Sequence, residues 1–352
     1  MPPSSRDYSP AHLANLLDAG YTSREVADRF DLTPSGVRGM VSRFRSNKVL
    51  AAVDYPPPKY EVNPSERRVL ELIERGQGRL RGFLAEDKTR TFLYTSDHHW
   101  PYQDDRAISL NIQIAALLKP DLVTGLSDFF DFDDYSHWPD YRTPAARLWG
   151  SDIQRPIDLH GAWIRRMEGA IGHKPLWLGL WGNHDLWLYE YLTENQGGAS
   201  MYTFATFLEE LENQGLTISG WPERKHAVRL SPRLKMLHGV NASKNPSTVA
   251  KNTLEEQAGK SWELDAGQFY NVIYGHDHRS IVFDYYGATA YGAGCNCDVN
   301  MPYLHSPAQW QLGVVIGHFN PQSTLVDATR INFYPTADGG LTCFVGDVQL
   351  FS

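Results

Sequence analysis

Five short apolar runs along this chain each end in a cluster of polar side chains. Thr91-Phe92-Leu93-Tyr94 leads to Asp97-His98-His99, and Leu122-Val123 leads to Asp128-Phe129-Phe130-Asp131. The run 176–181 opens onto Gly182-Asn183-His184-Asp185, the run 234–237 onto His238-Gly239, and Val272-Ile273-Tyr274 onto Gly275-His276-Asp277-His278. Runs of this length predict strands, and a single sheet edge could then gather all five clusters into one site. Amphipathic stretches near residues 106–118, 153–171, 202–214 and 248–258 read as helices. Strand and helix in alternation predict an α/β architecture with functional side chains at strand C-termini. After Ser280 the pattern changes to successive strands near 281–285, 288–291, 312–316, 325–332 and 341–345, which predicts a second sheet. The expected fold class is α/β, with two packed mixed β-sheets flanked by helices and a small all-α domain in front.

That first domain, residues 1–50, reads as three short helices. Pro10 opens the first, with Leu13, Leu16 and Leu17 as its stripe and Gly20 as its end. Thr22-Ser23-Arg24-Glu25 is a capping-box pattern opening the second, and Thr33-Pro34 opens the third, striped by Val37, Met40, Val41 and Phe44. The outer face of the third helix carries Arg38, Ser42, Arg43 and Arg45. A tight turn before a helix with a basic face is the plan of a helix-turn-helix, so DNA is the expected partner. A trihelical bundle used for protein contact is the alternative. Residues 51–90 read as a linker stiffened by Pro56-Pro57-Pro58, then a lead-in helix from Asn63-Pro64 to about Arg75, stopped by Gly76. The second domain, which carries the five polar clusters, is expected over 91–352.

Composition narrows the picture. A chain of 352 residues with 42% hydrophobic and 21% charged suits two or three domains with ample core. The net charge is −8, yet the first fifty residues hold seven Lys/Arg against five Asp/Glu, a net +2 that leaves −10 for the rest. Nucleic-acid affinity is therefore expected to be local. No apolar run approaches the roughly 18–20 residues of a membrane helix, the start lacks the plan of a secretory signal, and three cysteines make no disulfide framework. The default expectation is a cytoplasmic protein without membrane contact; a homo-oligomer is compatible with the sequence. Cys295 and Cys297 read as buried loop thiols.

In extended backbone, alternate side chains share a face. Asp97 and His99 should point together with His98 away, and His276 and His278 together with Asp277 away. Carboxylate, imidazole and amide donors suit Mn²⁺, Fe²⁺ or Zn²⁺, and a pair of ions needs a bridging ligand, for which Asp128 is the candidate.

With all five motifs in order, the chain from Thr91 to about Val345 resembles the calcineurin-like metallophosphoesterases, including their nucleases. The N-terminal segment resembles trihelical helix-turn-helix modules of resolvases, transposases and phage terminase-like proteins. Carried over by position, the resemblance implies a first metal on Asp97, His99, Asp128 and His278, and a second on Asp128, Asn183, His238 and His276. It implies that Asp131 orients the groups around those ligands, and that His184 contacts the phosphate and protonates the leaving oxygen. Ser127 departs from the pattern, standing where a glycine usually precedes the bridging Asp. Phe132-Asp133 replaces the Arg-Gly of Ser/Thr phosphatases, Asp185 replaces their Glu, and position 131 lacks the Tyr of purple acid phosphatases. These departures favour the phosphodiesterase and nuclease branches.

Aromatic residues crowd both flanks of the predicted site, with Phe132, Tyr135, His137, Trp138, Tyr141 and Trp149 after Asp128, and Trp181, Trp187, Tyr189 and Tyr191 around Asn183. They read either as base-stacking platforms or as a packed rim. Three functions stay open: a metal-dependent DNA nuclease delivered by the first domain, a phosphodiesterase or phosphatase for small molecules or proteins, and a DNA-binding regulator on an inactive scaffold. The domain pairing favours the first and would suit a phage or mobile element.

Overall fold

The computed structural model describes residues 13, 17, 22–30, 32–38, 40, 64–132, 154–195, 198–222, 226–258, 270–301 and 309–352. They fall into two compact units, the first ending at Pro64.

In the first unit the capping box forms as its residue types require. Glu25 N–H donates to Thr22 Oγ1 (3.2 Å), and Thr22 N–H donates back to Glu25 Oε2 (2.6 Å). Helix α1 (Ser23–Phe30) follows. Gly36 N–H donates to Thr33 Oγ1 (3.0 Å) at the start of the next helical segment, 34–38. Leu13, Val26, Ala27 and Val37 form the core, with Leu17, Phe30, Leu32 and Met40 against it. Arg38 is exposed. Ser42, Arg43 and Arg45 lie outside the described residues, as do Leu16, Val41 and Phe44.

The second unit begins at Ser65, within helix α2 (Pro64–Ala85), which runs ten residues past the expected stop. Gly76 does not end it. A Cβ there would sit 1.9 Å from Ile218 O, so the glycine lets the helix lie directly on a strand backbone. Arg68 pairs with Glu209, and Arg75 and Arg79 both reach Glu212 (2.6 and 2.7 Å), fixing the helix along its length.

Six strands form the first sheet in the order β11-β10-β1-β2-β3-β4. Its centre is β1 (Arg90–Tyr94), β2 (Leu122–Leu126), β3 (Leu176–Gly179) and β4 (Leu216–Ile218), all parallel. The returning strands β10 (Gly313–Phe319) and β11 (Val326–Asn332) are antiparallel. A second mixed sheet has the order β5-β6-β7-β9-β8, built from β5 (Ala227–Ser231), β6 (Leu234–Leu237), β7 (Asn271–Tyr274), β8 (Ser280–Tyr285) and β9 (Ala288–Ala293). The sheets pack face to face through Phe92, Tyr94, Leu122 and Leu178 on one side and Leu230, Leu234, Met236 and Ile273 on the other. Side chains of α2, α3 (Asp105–Leu118), α4 (Gln154–Ile171) and α6 (Gly198–Asn213) join the core on the first sheet's other face. Helix α7 (Pro246–Ala258) lies against the second sheet. Strands β12 (Tyr334–Pro335), β13 (Leu341–Val345) and β14 (Val348–Phe351) form a small third sheet beside α3.

The α/β class with packed mixed sheets is thus as expected, but the strands after Ser280 divide differently. Only β8 and β9 enter the second sheet, while β10 and β11 return to the first. Strands β4 and β5 carried no expectation. Among the described residues, no helix is long and apolar enough to cross a membrane.

Candidate metal centre

The five polar clusters converge, though not on one sheet edge. Three follow β1, β2 and β3 of the first sheet, and two follow β6 and β7 of the second. The site lies where the C-terminal ends of two packed sheets meet, because each sheet contributes parallel strands running toward the same end.

Backbone hydrogen bonds lace the first two loops together. Asp97 N–H donates to Ser127 O (3.0 Å), His99 N–H to Asp128 O (2.9 Å) and Trp100 N–H to Phe129 O (2.7 Å). The third cluster lies at the start of helix α5 (Asn183–Asn195) and forms its first turn. His184 N–H at that helix start donates to Asp128 Oδ1 (2.8 Å), where the helix dipole also favours a carboxylate. Gly182 makes the approach feasible, since a Cβ there would lie 2.0 Å from Asp128 Oδ1. Asp185 holds the same junction, accepting from Asp128 N–H (2.7 Å) and Gly182 N–H (3.1 Å).

Side chains expected to share a face do so, for a different reason. Asp97, His99, Asp128, His276 and His278 have φ between 44° and 71°, so five of the seven candidate ligands are left-handed rather than extended. Non-glycine residues there cost of order 1–3 kcal/mol each and gather at functional sites. His98 does turn away, its Nε2 3.0 Å from Thr95 Oγ1 and its ring beside Trp163; burial lowers its pKa to about 3.

Two groups of donor atoms result. In the first, His278 Nε2 lies 3.1 Å from Asp97 Oδ1 and 3.3 Å from His99 Nε2. In the second, His238 Nε2 lies 3.0 Å from Asp128 Oδ2 and 3.2 Å from Asn183 Oδ1, with the His276 ring alongside. Donors bonded to one ion at about 2.0–2.2 Å stand about 3.0–3.5 Å apart, and both groups have that spacing. Asp128 is common to two clusters whose ligand atoms lie within 4.8 Å of one another, one with His99 and His184, the other with His238 and His276. The donor chemistry and spacing therefore fit divalent metal ions.

The charges point the same way. Asp97, Asp128 and Asp131 are at most 1% exposed, and burial alone would raise their pKa values. Histidines outweigh it: His278 holds Asp97 low, His238 and His184 hold Asp128 well below the carboxylate range, and His184 brings Asp131 to about 2. Conversely, burial would depress His184, but Asp128 and Asp131 lift it to about 9; Asp97 lifts His278 to about 9 against the same burial penalty. In the metal-free chain, imidazolium charges balance a pocket of buried carboxylates, and cations can take over that role.

No family model matches the chain, and neither does any curated protein. Similar solved structures include an archaeal phosphodiesterase, 13% identical over 69% of this chain and 99% of that one (TM-score 0.32). Vps29 of Chaetomium thermophilum is 12% identical over 74% and 95% (TM-score 0.36), and a predicted phosphoesterase from Streptococcus pneumoniae 13% over 75% and 98% (TM-score 0.27). Likeness this distant carries nothing about chemistry, which has to come from the side chains.

Several of those were not singled out by sequence. Asn296, between the two thiols, is fully buried and donates from Nδ2 to Ser96 O (3.0 Å) and Thr95 Oγ1 (3.1 Å), stitching its loop to the Asp97 loop. Cys295 and Cys297 are buried as expected, but Cys297 also joins His99 and His278 in a potential donor group. Trp310 packs its ring 4.1 Å from His278. Of the flanking aromatics, Phe132 packs on Phe130 and Phe207, and Trp181 Nε1–H donates to Gly220 O (2.9 Å), so both belong to the core. Trp187 lies 3.8 Å from the His184 ring. Tyr135, His137, Trp138, Tyr141 and Trp149 lie outside the described residues.

Proposed function

We propose that the second unit is a metal-dependent phosphoesterase cleaving phosphodiester bonds, and that the chain acts as a DNA nuclease delivered by its N-terminal domain. The observation that carries the hydrolase reading is Asp128, common to two donor clusters. Asp97, His99, Asp128 and His278 would hold one ion, and Asp128, Asn183, His238 and His276 the other. Bound there, two divalent ions, Mn²⁺ first and Fe²⁺ or Zn²⁺ as alternatives, supply Lewis acidity and lower the pKa of water toward neutrality.

The protein's own groups do the rest. His184 is the general acid, giving its proton to the leaving oxygen. Asp131 engages the Nδ1 proton of that ring, with Oδ1 2.9 Å from His184 Nδ1, and so keeps the ring oriented with the proton for transfer on Nε2. The same oxygen lies 2.8 Å from His99 Nδ1, so His99 keeps its proton there and presents Nε2 as a lone pair. Asp185 and the start of α5 hold Asp128 by its backbone and carboxylate.

The DNA reading is supported by the trihelical pattern and local +2 charge of the first domain, where Arg38, Ser42, Arg43 and Arg45 would contact phosphate or base edges. A second reading, hydrolysis of a small phosphodiester, is favoured by the −10 charge of the remainder. One assay separates them: Mn²⁺-loaded protein offered single- and double-stranded DNA, RNA, cyclic dinucleotides and a chromogenic phosphodiester. Turnover of the chromogenic ester and cyclic dinucleotides without cleavage of DNA would overturn the nuclease reading.

A further inference from the structure

We propose that Ser127 is a positioning residue that keeps the proton of His238 on Nδ1, so that Nε2 is the nitrogen offered to a divalent cation. The inference rests on the two-ion reading above.

Ser127 immediately precedes Asp128 and is fully buried. Its hydroxyl donates to Gly125 O at 2.7 Å. A hydroxyl carries one proton, and a carbonyl can only accept, so that proton is committed. His238 Nδ1 lies 2.9 Å from the same Oγ. With the hydroxyl proton committed elsewhere, this contact requires that His238 donates and Ser127 accepts. The proton therefore sits on Nδ1.

The other face of the ring makes this matter. Nε2 faces Asp128 Oδ2 at 3.0 Å and Asn183 Oδ1 at 3.2 Å, both acceptors and both candidate ligands. Without an acceptor behind Nδ1, a neutral ring would keep its single proton on Nε2, where two oxygens draw it. That tautomer closes the lone pair the cation needs. An alanine or glycine at 127 would remove the opposing acceptor and leave the ring free to take it. Asp131 does for His99 with a carboxylate what Ser127 does for His238 with a hydroxyl. Groups behind a ligating imidazole fix its tautomer in this way, and their loss typically weakens metal binding by about 10–100-fold.

The test uses the full chain, stripped of metal and titrated with Mn²⁺ by calorimetry, as wild type and as Ser127→Ala and Ser127→Gly. The wild type should bind two ions. Both variants should weaken one binding event by about 10–100-fold and leave the other unchanged, with the far-ultraviolet circular dichroism of the metal-free chain unaltered. In parallel, long-range ¹⁵N–¹H spectra of the Zn²⁺-loaded, ¹⁵N-histidine-labelled wild type should show the His238 proton on Nδ1. Unchanged affinity in both variants, loss of both ions together, or a proton on Nε2 would each overturn the assignment. A wild-type chain that binds fewer than two ions would instead fail the two-ion reading itself, before any variant is compared.

Discussion

His184 Nδ1 lies 2.9 Å from Asp131 Oδ1, an oxygen that His99 Nδ1 meets at 2.8 Å. One buried carboxylate thus orients both a candidate metal ligand and the candidate general acid. Substitution at the two ends of the pair should have different consequences.

His184→Ala should retain metal and lose turnover by on the order of 10²-fold or more. The loss should shrink on nitrophenyl esters, whose leaving group needs no proton. Equal losses on nitrophenyl and natural esters would exclude the acid role. Asp131→Asn should lower turnover and weaken metal binding together, because the same oxygen serves His99; steady-state rates and calorimetry on one preparation would show whether both move.

The pH dependence of the metal-free chain follows from the raised histidines. His184 and His278, both lifted to about 9, bind protons in the folded state that the unfolded chain has released. Their stabilisation is complete below the unfolded value near 6.5 and is lost as pH rises through about 9. Thermal midpoints of the metal-free protein should fall across that window. Because ligands must deprotonate, metal addition at pH 7.5 should release protons, readable by calorimetry in buffers of different ionisation enthalpy. Binding with no proton release would contradict these assignments.

Gly76→Ala separates a helix stop from a helix contact. At a stop the change would matter little to packing. Against Ile218 O, a Cβ at 1.9 Å should force the helix off the strand, destabilising by about 1–3 kcal/mol as overpacked sites do. Denaturant midpoints measure this, and an unchanged midpoint would remove the contact reading.

Local pattern carried much of this architecture. The β1, β6 and β7 runs and the helices ending at Leu118, Ile171 and Ala258 were legible because the strands are short apolar runs and the helices amphipathic stretches. What the pattern could not reach depends on partners distant in sequence. Nothing local to Gly76 announces Ile218, and nothing near Ser127 announces His238. The shared orientation of Asp97 and His99 follows from alternation on paper, but left-handed backbone and loop lacing produce it in the fold. Gly182-Asn183 has turn composition, yet His184 N–H is drawn to Asp128 and a helix starts there instead.

If the first domain only delivers the enzyme, a fragment beginning near residue 63 should hydrolyse a chromogenic diester as fast as the full chain. It should cut long duplex DNA more slowly through a raised KM. Arg38→Ala with Arg43→Ala should reproduce most of that defect. The difference should shrink as salt rises, since the intact chain loses its counterion-release advantage faster. Identical duplex cutting by both proteins at low salt would move the small-molecule reading ahead.

The shared carboxylate is the most direct point of attack. Asp128 accepts from His184 N–H, lies 3.0 Å from His238 Nε2 and joins donor clusters on both sides. Metal content per chain, measured by mass spectrometry on wild type and Asp128→Ala after identical loading, should fall from two ions to one or none. Turnover should nearly vanish while the far-ultraviolet circular dichroism stays unchanged. Two ions per chain in the folded Asp128→Ala protein would contradict a centre built around this residue.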